Sequence, residues 1–478
     1  MVEYPLRFVR ELQDDNPWWN GGRKPAPSFK RSDYVHFVRE ITDRGVHIVI
    51  GPRRVGKSSL LFQLINHLLE NGVRSEHILY LSLERPYFDL LPNKIQDAVE
   101  YYETTVLQAQ IGKGDRVYLF VDEAQYDPAW ARLFKQYVEQ NRNITAYISG
   151  SSAQALFKHA AESGAGRFHT HYMMTMKFRD VLRFRRTEQE EEIFRLSQNL
   201  RDALCKSIKD NDPPHYVKQA QQVSIKLAAL RPEGILEEYL LKGGYPEMYS
   251  EKPWREVSMY YQINVFDKII AKDVVNVFNI KQPDKVRSLL VQLLDKTAMS
   301  LERTKLAELI NVKSKRGALD QYISALAEAF LIRTAVKYRK QRGRPSTKAR
   351  KFFASDPGLR NVVLGVDHLT PEERGALMET VVFNHVLRLE YFVDRQVRST
   401  GFYWSEDHER DIVLDTRKLR AVVPIEVKAG QADNHDAIKV RRTCSILKVP
   451  LGILIGGESI SEHKGVISVP AWLFLLSC

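Results

Sequence analysis

The sequence is poor in cysteine and in long apolar stretches. Three cysteines occur among 478 residues, at Cys205, Cys444 and Cys478, and they are too far apart for a disulfide framework or a zinc-binding pattern. We therefore expect a reducing, cytoplasmic environment. No uncharged apolar stretch reaches the roughly 18 residues that span a bilayer, and the first residues lack the apolar core of a signal peptide. Neither a membrane protein nor a disulfide-rich secreted protein is expected.

Internal repeats and low-complexity segments are also absent, so the length has to be explained by ordinary globular domains. At roughly 150 residues per domain, the chain predicts two to four of them. Basic residues outnumber acidic ones by 71 to 59, which gives a formal net charge of +12. This excess indicates a polyanionic partner, although a generally basic surface explains the composition equally well.

A phosphate-binding loop is the most specific motif in the chain. An apolar run over 46–50 precedes it and a helical pattern over 60–65 follows it, which is the strand–turn–helix context that the motif requires. Lys57 is expected to reach the β- and γ-phosphates of ATP, and Ser58 to hold Mg²⁺. The predicted nucleotide-binding residues are Gly51, Pro52, Arg53, Arg54, Val55, Gly56, Lys57, Ser58 and Ser59.

Two carboxylates follow a second apolar strand over 117–121. Asp122 is expected to hold Mg²⁺, directly or through water, and Glu123 to polarise the attacking water. Another strand-like run, over 78–83, separates this motif from the phosphate loop. The strand that carries the acids therefore need not be adjacent to the strand that precedes the loop.

Hydroxyl groups and an arginine complete the predicted ATPase site. Ser149 and Ser151 follow the next strand and are candidates for sensing the γ-phosphate; capping the following helix is the alternative. Arg167 precedes the fifth predicted strand and is a candidate arginine finger that projects into a neighbouring subunit of a homo-oligomer. A structural salt bridge is an equal alternative for Arg167.

Alternating strand and helix patterns predict an α/β fold. Strands are expected at 46–50, 78–83, 117–122, 144–149 and 170–176, and helices at 57–70 and 129–140 among others. This βα alternation predicts a phosphate-loop NTPase with a parallel sheet in a three-layer arrangement. From about 177 to 275 the pattern becomes helical, and the segment Gly243–Glu247 interrupts it.

A helix-turn-helix pattern and a basic ribbon follow. One short helix is predicted over 304–312, and the next has an apolar face from 319 to 330. Between 331 and 351 there are nine Lys or Arg and no acidic residue, so the whole segment resembles a winged helix that contacts DNA phosphates without reading sequence. A solvated loop or an acidic protein partner is the alternative, and Asp320 would repel phosphate. The DNA-binding candidates are Lys315, Arg316, Lys337, Arg339, Lys340, Arg342, Arg344 and Lys348.

Carboxylates near the C-terminus suggest a nuclease-like site. Glu426 and Lys428 alternate with apolar residues on a predicted strand and therefore point to one side of it, while Glu379 lies on an apolar helix stripe. Glu379, Asp411 and Glu426 are candidate Mg²⁺ ligands, and Lys428 would position or deprotonate a water. This arrangement resembles the restriction-endonuclease-like PD-(D/E)xK pattern, with Arg410 in place of the usual proline. A retained fold with a structural ion network is the alternative.

Taken together, these motifs resemble the prokaryotic AAA-type ATPases that carry a C-terminal domain of unknown function 4143, which is nuclease-like. The resemblance rests on Trp18, both nucleotide motifs, 149–151, 166–167 and the segment Gly243–Glu247, which matches the lid region of that family. It implies an AAA core with adenine bound near the first 44 residues. Base stacking by Trp18 or Trp19 is one implication, and core packing is the favoured role for both. Where the family often has Pro-Leu-Ser-Phe, this chain has Thr-Met-Lys-Phe at 175–178.

The predicted function is a DNA-binding, Mg²⁺-dependent ATPase that remodels or translocates on DNA, with branched structures and a fused nuclease activity as further expectations. An ATP-gated signalling or defence switch with slow turnover and a degenerate nuclease domain is the alternative. The predicted division is 1–44, a preamble near the nucleotide; 45–180, the ATPase core; 181–280, a helical lid or linker; 281–358, the winged helix; and 359–478, the nuclease-like domain.

Overall fold

The structure is a computed structural model of the chain. It describes residues 4–151, 156, 168–250, 252–311, 317–339, 349–395, 400–405 and 409–478. The chain divides into two compact units, Met1–Met174 and Thr175–Cys478. Among the described residues, no helix combines the length and the apolar character that crossing a membrane requires.

The first unit is built on a parallel five-stranded sheet. Its strands are short apolar runs, and every residue of the third and fourth strands is buried, as expected for strands covered on both faces. The strands are β1 (Gly45–Ile50), β2 (Ile78–Ser82), β3 (Val117–Asp122), β4 (Ile144–Gly150) and β5 (Phe168–Tyr172). The helices are α1 (Leu6–Asp15), α2 (Tyr34–Glu40), α3 (Lys57–Glu70), α4 (Lys94–Tyr102) and α5 (Trp130–Glu139).

The strand order is β2-β3-β4-β1-β5, so β4 lies between the strand that precedes the phosphate loop and the strand that carries the acids. The predicted parallel sheet is confirmed. The predicted fifth strand, 170–176, was placed too late, because the chain leaves the sheet after Tyr172. Met173 still donates its backbone N–H to Ile50 at 2.8 Å, and its carbonyl then turns toward Gly51.

The second unit begins with helices that surround the Gly-Gly segment. They are α6 (Phe178–Arg185), α7 (Glu190–Asp210), α8 (Pro213–Leu227), α9 (Pro232–Lys242) and α10 (Trp254–Tyr261), followed by π-helical segments at Gln262–Phe266 and Ile269–Asn276. The next helices are α11 (Pro283–Asp295), α12 (Arg303–Leu309), α13 (Ala318–Glu328), α14 (Pro357–Leu364), α15 (Pro371–Asp394), α16 (Asn434–Leu447) and α17 (Ala471–Leu476).

Gly243 and Gly244 end α9 because another backbone segment lies directly against them. Gly243 has a φ of 72°, and a Cβ there would lie 2.0 Å from the carboxylate of Asp356. The backbone N–H of Gly244 donates to the same carboxylate at 2.8 Å. Reciprocally, a Cβ on Gly358 would lie 2.0 Å from the carbonyl of Lys242. The Gly-Gly pair therefore docks α9 against the start of α14, a local packing role that its pattern alone did not reveal.

A nine-stranded sheet organises the rest of the second unit, in the order β13-β14-β12-β11-β10-β9-β7-β8-β6. Its strands are β6 (Met299–Glu302), β7 (Ile332–Lys337), β8 (Ala349–Ala354), β9 (Thr400–Ser405), β10 (Glu409–Thr416), β11 (Ala421–Val427), β12 (Gly452–Ile455), β13 (Ser461–His463) and β14 (Val466–Val469). The sheet combines strands from the predicted winged-helix and nuclease-like segments, since β7 pairs in parallel with β9. The five-part division of the chain stays a prediction.

Two parts of this sheet correspond to the segments singled out in the sequence. The first runs α11, β6, α12, α13, β7 and β8, with β8 antiparallel to both β6 and β7. The second runs α15, β9, β10, β11, α16 and β12, with β9 to β11 antiparallel and β12 parallel to β11. These successions are compatible with a winged helix and a nuclease-like domain, both of which remain predictions.

Candidate functional site

The phosphate loop connects β1 to α3 through backbone that only certain residues tolerate. Gly56, immediately before α3, has a φ of 98°, and Arg54 has a φ of 65°. At Gly51 a Cβ would lie 1.9 Å from the carbonyl oxygen of Met173, so no other residue fits without moving the backbone. The loop is thus pressed against the chain that leaves β5, which fixes where α3 begins.

Lys57 is buried at the start of α3, with a relative exposure of 5%. Its ammonium donates to the carbonyl oxygens of Gly51 and Pro52 at 2.9 and 3.1 Å. Glu123 Oε1 lies 3.8 Å from the same nitrogen. The ammonium is therefore held inside the loop by two neutral acceptors and one carboxylate, in a position suited to an anionic ligand.

Ser58 and Asp122 meet although 64 residues separate them. The Ser58 hydroxyl donates to Asp122 Oδ2 at 2.5 Å, and Tyr80 donates to the same oxygen at 3.2 Å. The Ser149 hydroxyl donates to the other oxygen, Oδ1. Burial raises the pKa of Asp122 and the charge of Glu123 raises it further, while hydrogen bonds from Ser149 and Ser58 oppose the rise. The Ser58 hydroxyl and the Asp122 carboxylate offer oxygen atoms, which are the ligands that Mg²⁺ prefers. The set therefore fits Mg²⁺.

Glu123 is positioned by its backbone and by a neighbouring amide. It has a φ of 55°, and its N–H donates to Ser149 Oγ at 3.1 Å. Gln125 Nε2 donates to Glu123 Oε2 and lies 3.4 Å from Ser151 Oγ. Both candidate sensor serines therefore lie beside the acid pair, with Ser149 in direct contact and Ser151 reached through Gln125. A sensing role for either serine stays a prediction.

The sequence reasoning missed Arg31, which supports the loop from outside the motif. This buried side chain donates to the Val55 carbonyl at 2.8 Å and to the Met174 carbonyl at 2.6 Å. It also lies 3.4 Å from Asp33. Arg31 therefore connects the phosphate loop to the chain that follows β5. Its sequence neighbourhood contains no pattern from which these partners could be inferred.

Both tryptophans of the N-terminal segment pack into the first unit. The indole N–H groups of Trp18 and Trp19 donate to the carbonyl of Ile78 at 3.0 and 2.9 Å. Trp18 is 2% exposed, and Trp19 stacks on Tyr102 with ring centroids 5.8 Å apart. These contacts agree with the favoured core-packing role.

Most predicted DNA contacts fall on parts of the chain that the structure does not describe. Among the ribbon residues it does describe, Arg339 is exposed and Lys337 is half-buried. Arg333 and Lys351, which the basic run also contains but which are not among the DNA-binding candidates, are buried. The predicted residues outside the described part are Arg167, Lys315, Arg316, Lys340, Arg342, Arg344 and Lys348.

At the C-terminal candidate site, the predicted lysine lies beside one of the predicted carboxylates. Lys428 Nζ lies 3.1 Å from Glu426 Oε1 and 3.5 Å from Asp436 Oδ1. Glu379, however, forms a buried ion pair with Lys351 at 2.7 Å, a partner that the sequence did not suggest. The side chain of Asp411 is outside the described part, although its strand neighbour Ile412 pairs with Ile425. An ion pair at Glu379 is what the alternative hypothesis expects, in which these charged residues form a structural ion network instead of a nuclease site.

Family comparisons agree with the nucleotide-site geometry. Residues 43–182 match the AAA domain family. Residues 233–370 and 374–474 match two domains of unknown function, DUF8612 and DUF4143. The chain therefore contains an AAA domain and the C-terminal domain that the sequence resemblance implied. The descriptions of these matching families do not mention a nuclease. Nucleotide binding is what the AAA match implies for residues 43–182.

Two relatives extend over most of the chain, and both are uncharacterized proteins. One, from Haemophilus influenzae, is 22% identical over 370 residues, which are 76% of this chain and 80% of the relative. The other, from Methanocaldococcus jannaschii, is 24% identical over 360 residues, 73% of this chain and 68% of the relative.

Similar solved structures include the Aeropyrum pernix ORC2 protein in its ADPNP-ADP complexes. It is 12% identical, with 72% of this chain and 95% of that chain covered and a TM-score of 0.36. Drosophila ORC bound to DNA is also 12% identical, with 76% and 98% covered and a TM-score of 0.22.

Proposed function

We propose that this chain is a Mg²⁺-dependent ATPase whose turnover is coupled to DNA. The observation that carries the proposal is the meeting of Ser58 and Asp122 at 2.5 Å, beside Lys57 and Glu123. A hydroxyl, a buried carboxylate, an ammonium and a second carboxylate are the groups that phosphoryl transfer from a bound nucleotide requires. They come from α3 and from the end of β3, which the sheet places two strands away from β1.

Each of these four residues has a distinct proposed role. Lys57 binds the β- and γ-phosphates, because its ammonium is buried within the loop that the phosphates would contact. Ser58 and Asp122 would hold Mg²⁺, and a cation there would supply positive charge beside the phosphates. Glu123 either accepts a proton from the attacking water or orients that water molecule. The positive end of the α3 dipole adds to the attraction for the anion.

The finer parts of the proposal rest on sequence. Ser151 is proposed as a γ-phosphate sensor, and Arg167 as a finger that acts in a neighbouring subunit of a homo-oligomer. The basic ribbon is proposed to bind DNA phosphates, and Arg339 is an exposed member of it. Such contacts give salt-sensitive binding without sequence preference. ATP turnover would then drive remodelling of DNA or movement along it.

Steady-state ATP hydrolysis with and without DNA tests this function. We expect DNA to raise the rate of the full chain. Lys57→Ala should abolish nucleotide binding and hydrolysis together. Glu123→Gln should retain nucleotide binding but lower the rate about 100-fold or more, the range for loss of a positioned general base.

Exposed residues of the same unit provide matched controls. Lys113→Ala and Glu100→Gln remove the same charges at exposed positions and should leave the rate unchanged. An equal rate with and without DNA would contradict the coupling to DNA. Retention of full activity in both site variants would contradict the ATPase assignment itself.

Slow turnover in an ATP-gated switch is the second candidate. Gln125 Nε2 donates to Glu123 Oε2, so the proposed base is already engaged by a neighbouring amide. If this restraint persists with nucleotide bound, hydrolysis would be slow and independent of DNA, and ATP would instead drive oligomerisation. The same assay, combined with light scattering with and without ATP, distinguishes the switch from the DNA-coupled enzyme.

Metal-dependent DNA cleavage is a third candidate, favoured by the 3.1 Å approach of Lys428 to Glu426. The expected activity is nicking of supercoiled or branched DNA with Mg²⁺, measured by gel electrophoresis. Asp411→Ala and Lys428→Ala should abolish it, while Lys464→Ala, which removes an exposed lysine, should not. Absence of cleavage on every DNA form tested would leave Glu379, Glu426 and Lys428 as a structural ion network.

A further inference from the structure

Three potential metal ligands converge in the first unit, away from the phosphate loop. Glu40 is the last residue of α2, His47 lies in β1, and His171 lies in β5. His47 Nδ1 is 3.2 Å from His171 Nε2. Glu40 Oε2 is 3.2 Å from His171 Nε2 and 3.7 Å from His47 Nδ1. Three ligand atoms from three separate elements thus form a compact triangle.

This triangle has the dimensions of one face of a tetrahedral metal site. Zinc bonds of about 2.0–2.2 Å to nitrogen and oxygen separate neighbouring ligand atoms by about 3.3–3.6 Å. The three observed separations of 3.2, 3.2 and 3.7 Å are close to that range. The three separations therefore allow one small cation to contact all three atoms once it displaces the proton that the two rings share.

The surrounding side chains hold the two rings in place. His47 is stacked between Tyr147 and His169, with centroid distances of 4.9 and 5.2 Å. Phe37 of α2 packs on the His171 ring at 5.0 Å, and the Tyr147 hydroxyl donates to the Phe37 carbonyl at 3.1 Å. Because packing fixes these orientations, little freedom remains to be lost when a cation binds.

The chemistry of the ligands favours a transition metal over Mg²⁺ or Ca²⁺. Two imidazoles with one carboxylate suit zinc, whereas the hard cations prefer all-oxygen sites. The Glu40 side chain is 36% exposed, while its ligand atom Oε2 is buried.

We propose that Glu40, His47 and His171 bind one Zn²⁺ ion that ties α2 to the β1–β5 strand pair. The consequence follows from position: β1 leads directly into Gly51, and the chain after β5 packs against the same glycine. A cation at this point would stabilise the elements on which the phosphate loop rests. The proposal does not depend on nucleotide hydrolysis.

Isothermal titration of the full chain with ZnCl₂ tests the site, after chelator treatment and without nucleotide. We expect one equivalent to bind and the thermal unfolding midpoint to rise. His171→Gln and Glu40→Gln should each weaken binding at least about tenfold. Co²⁺ in place of Zn²⁺ should give the visible absorption of a tetrahedral site, and both variants should lose it.

Two histidine variants serve as matched controls. His368→Gln alters an exposed histidine that is not among the three converging ligands. His435→Gln alters a group with Asp433 and Asp436, the other group of potential ligands found among the described residues. Both should bind Zn²⁺ as the original chain does. Loss of binding in His435→Gln, or unchanged binding in both His171→Gln and Glu40→Gln, would overturn the proposal, as would no heat from the original chain.

Because a variant can fail through misfolding, each is checked by circular dichroism. Glutamine has the same shape and volume as glutamate, and Glu40 is partly exposed at the end of its helix. Glu40→Gln should therefore leave the fold intact. Folded His171→Gln and Glu40→Gln proteins that both bind Zn²⁺ with unchanged affinity contradict the site. Loss of Zn²⁺ binding with ATP binding intact separates this site from the nucleotide site.

Discussion

At the scale of residues, the phosphate loop is held by contacts that its own motif does not contain. Lys57 is satisfied within the loop, but Val55 depends on Arg31, a residue from the segment before α2. The guanidinium spans two carbonyls, of Val55 and Met174. Hydrogen bonds from a charged donor contribute about 1.5–3 kcal/mol each, so the loss of this side chain should be felt in the loop.

Replacement of Arg31 by methionine tests this support. The change leaves two carbonyls without their donor, and we expect a loss of about 2–4 kcal/mol in unfolding free energy together with weaker nucleotide binding. Urea unfolding and titration with an ATP analogue measure the two effects. Arg39→Met, at an exposed position of α2, is the matched control and should change neither. Equal stability of the two variants would show that Arg31 does not support the loop.

The residues of the candidate nucleotide site lie close together in the structure because their spacing in the sequence encodes their placement. The meeting of Ser58 with Asp122 follows from strand ends that share one edge of a parallel sheet. Tyr80 and Gln125 could not be foreseen in the same way. The Tyr80 hydroxyl reaches Asp122 because β2 lies beside β3. The Gln125 amide reaches Glu123 because a short turn follows β3. Neither residue belongs to a recognisable pattern.

At the scale of elements, apolar runs in the sequence predicted where the strands lie. They predicted less well where each strand ends. β1 to β4 lie where the pattern placed them, since each is bounded by polar or glycine residues. β5 ends earlier than predicted because Met173 and Met174 continue the apolar run while leaving the sheet to contact Gly51 and Arg31. A run of hydrophobic residues cannot show whether it is paired in a sheet or packed on a loop.

A run of basic residues does not show which of them are exposed once the run enters a strand. Lys351, at the end of the basic ribbon, is buried in β8 and pairs with Glu379 at 2.7 Å. Arg333 is buried in β7, with its guanidinium 5.4 Å from the centre of the Phe330 ring. Strand alternation turns every second residue inward whatever its charge, so only part of a basic run on paired strands is available to a polyanion.

At the scale of the whole molecule, the net charge of +12 attracts any polyanion, so binding to DNA alone does not identify a binding surface. Long-range attraction depends on total charge, whereas contacts with phosphates depend on where the charges lie. A test of the ribbon must therefore compare variants of equal net charge. Two arginines of the basic ribbon and the exposed lysines of α7 allow that comparison.

Removal of ribbon arginines should reduce the salt dependence of DNA binding. Each lost phosphate contact lowers the slope of log affinity against log salt by about 0.9, so Arg339→Ala with Arg344→Ala should lower it by about two and weaken binding similarly for every sequence. Fluorescence anisotropy over a series of salt concentrations measures the slope. Lys206→Ala with Lys209→Ala removes the same charge from exposed positions of α7 and should leave the slope nearly unchanged. Equal reductions in both double variants would mean that the basic surface as a whole, rather than the ribbon, attracts DNA.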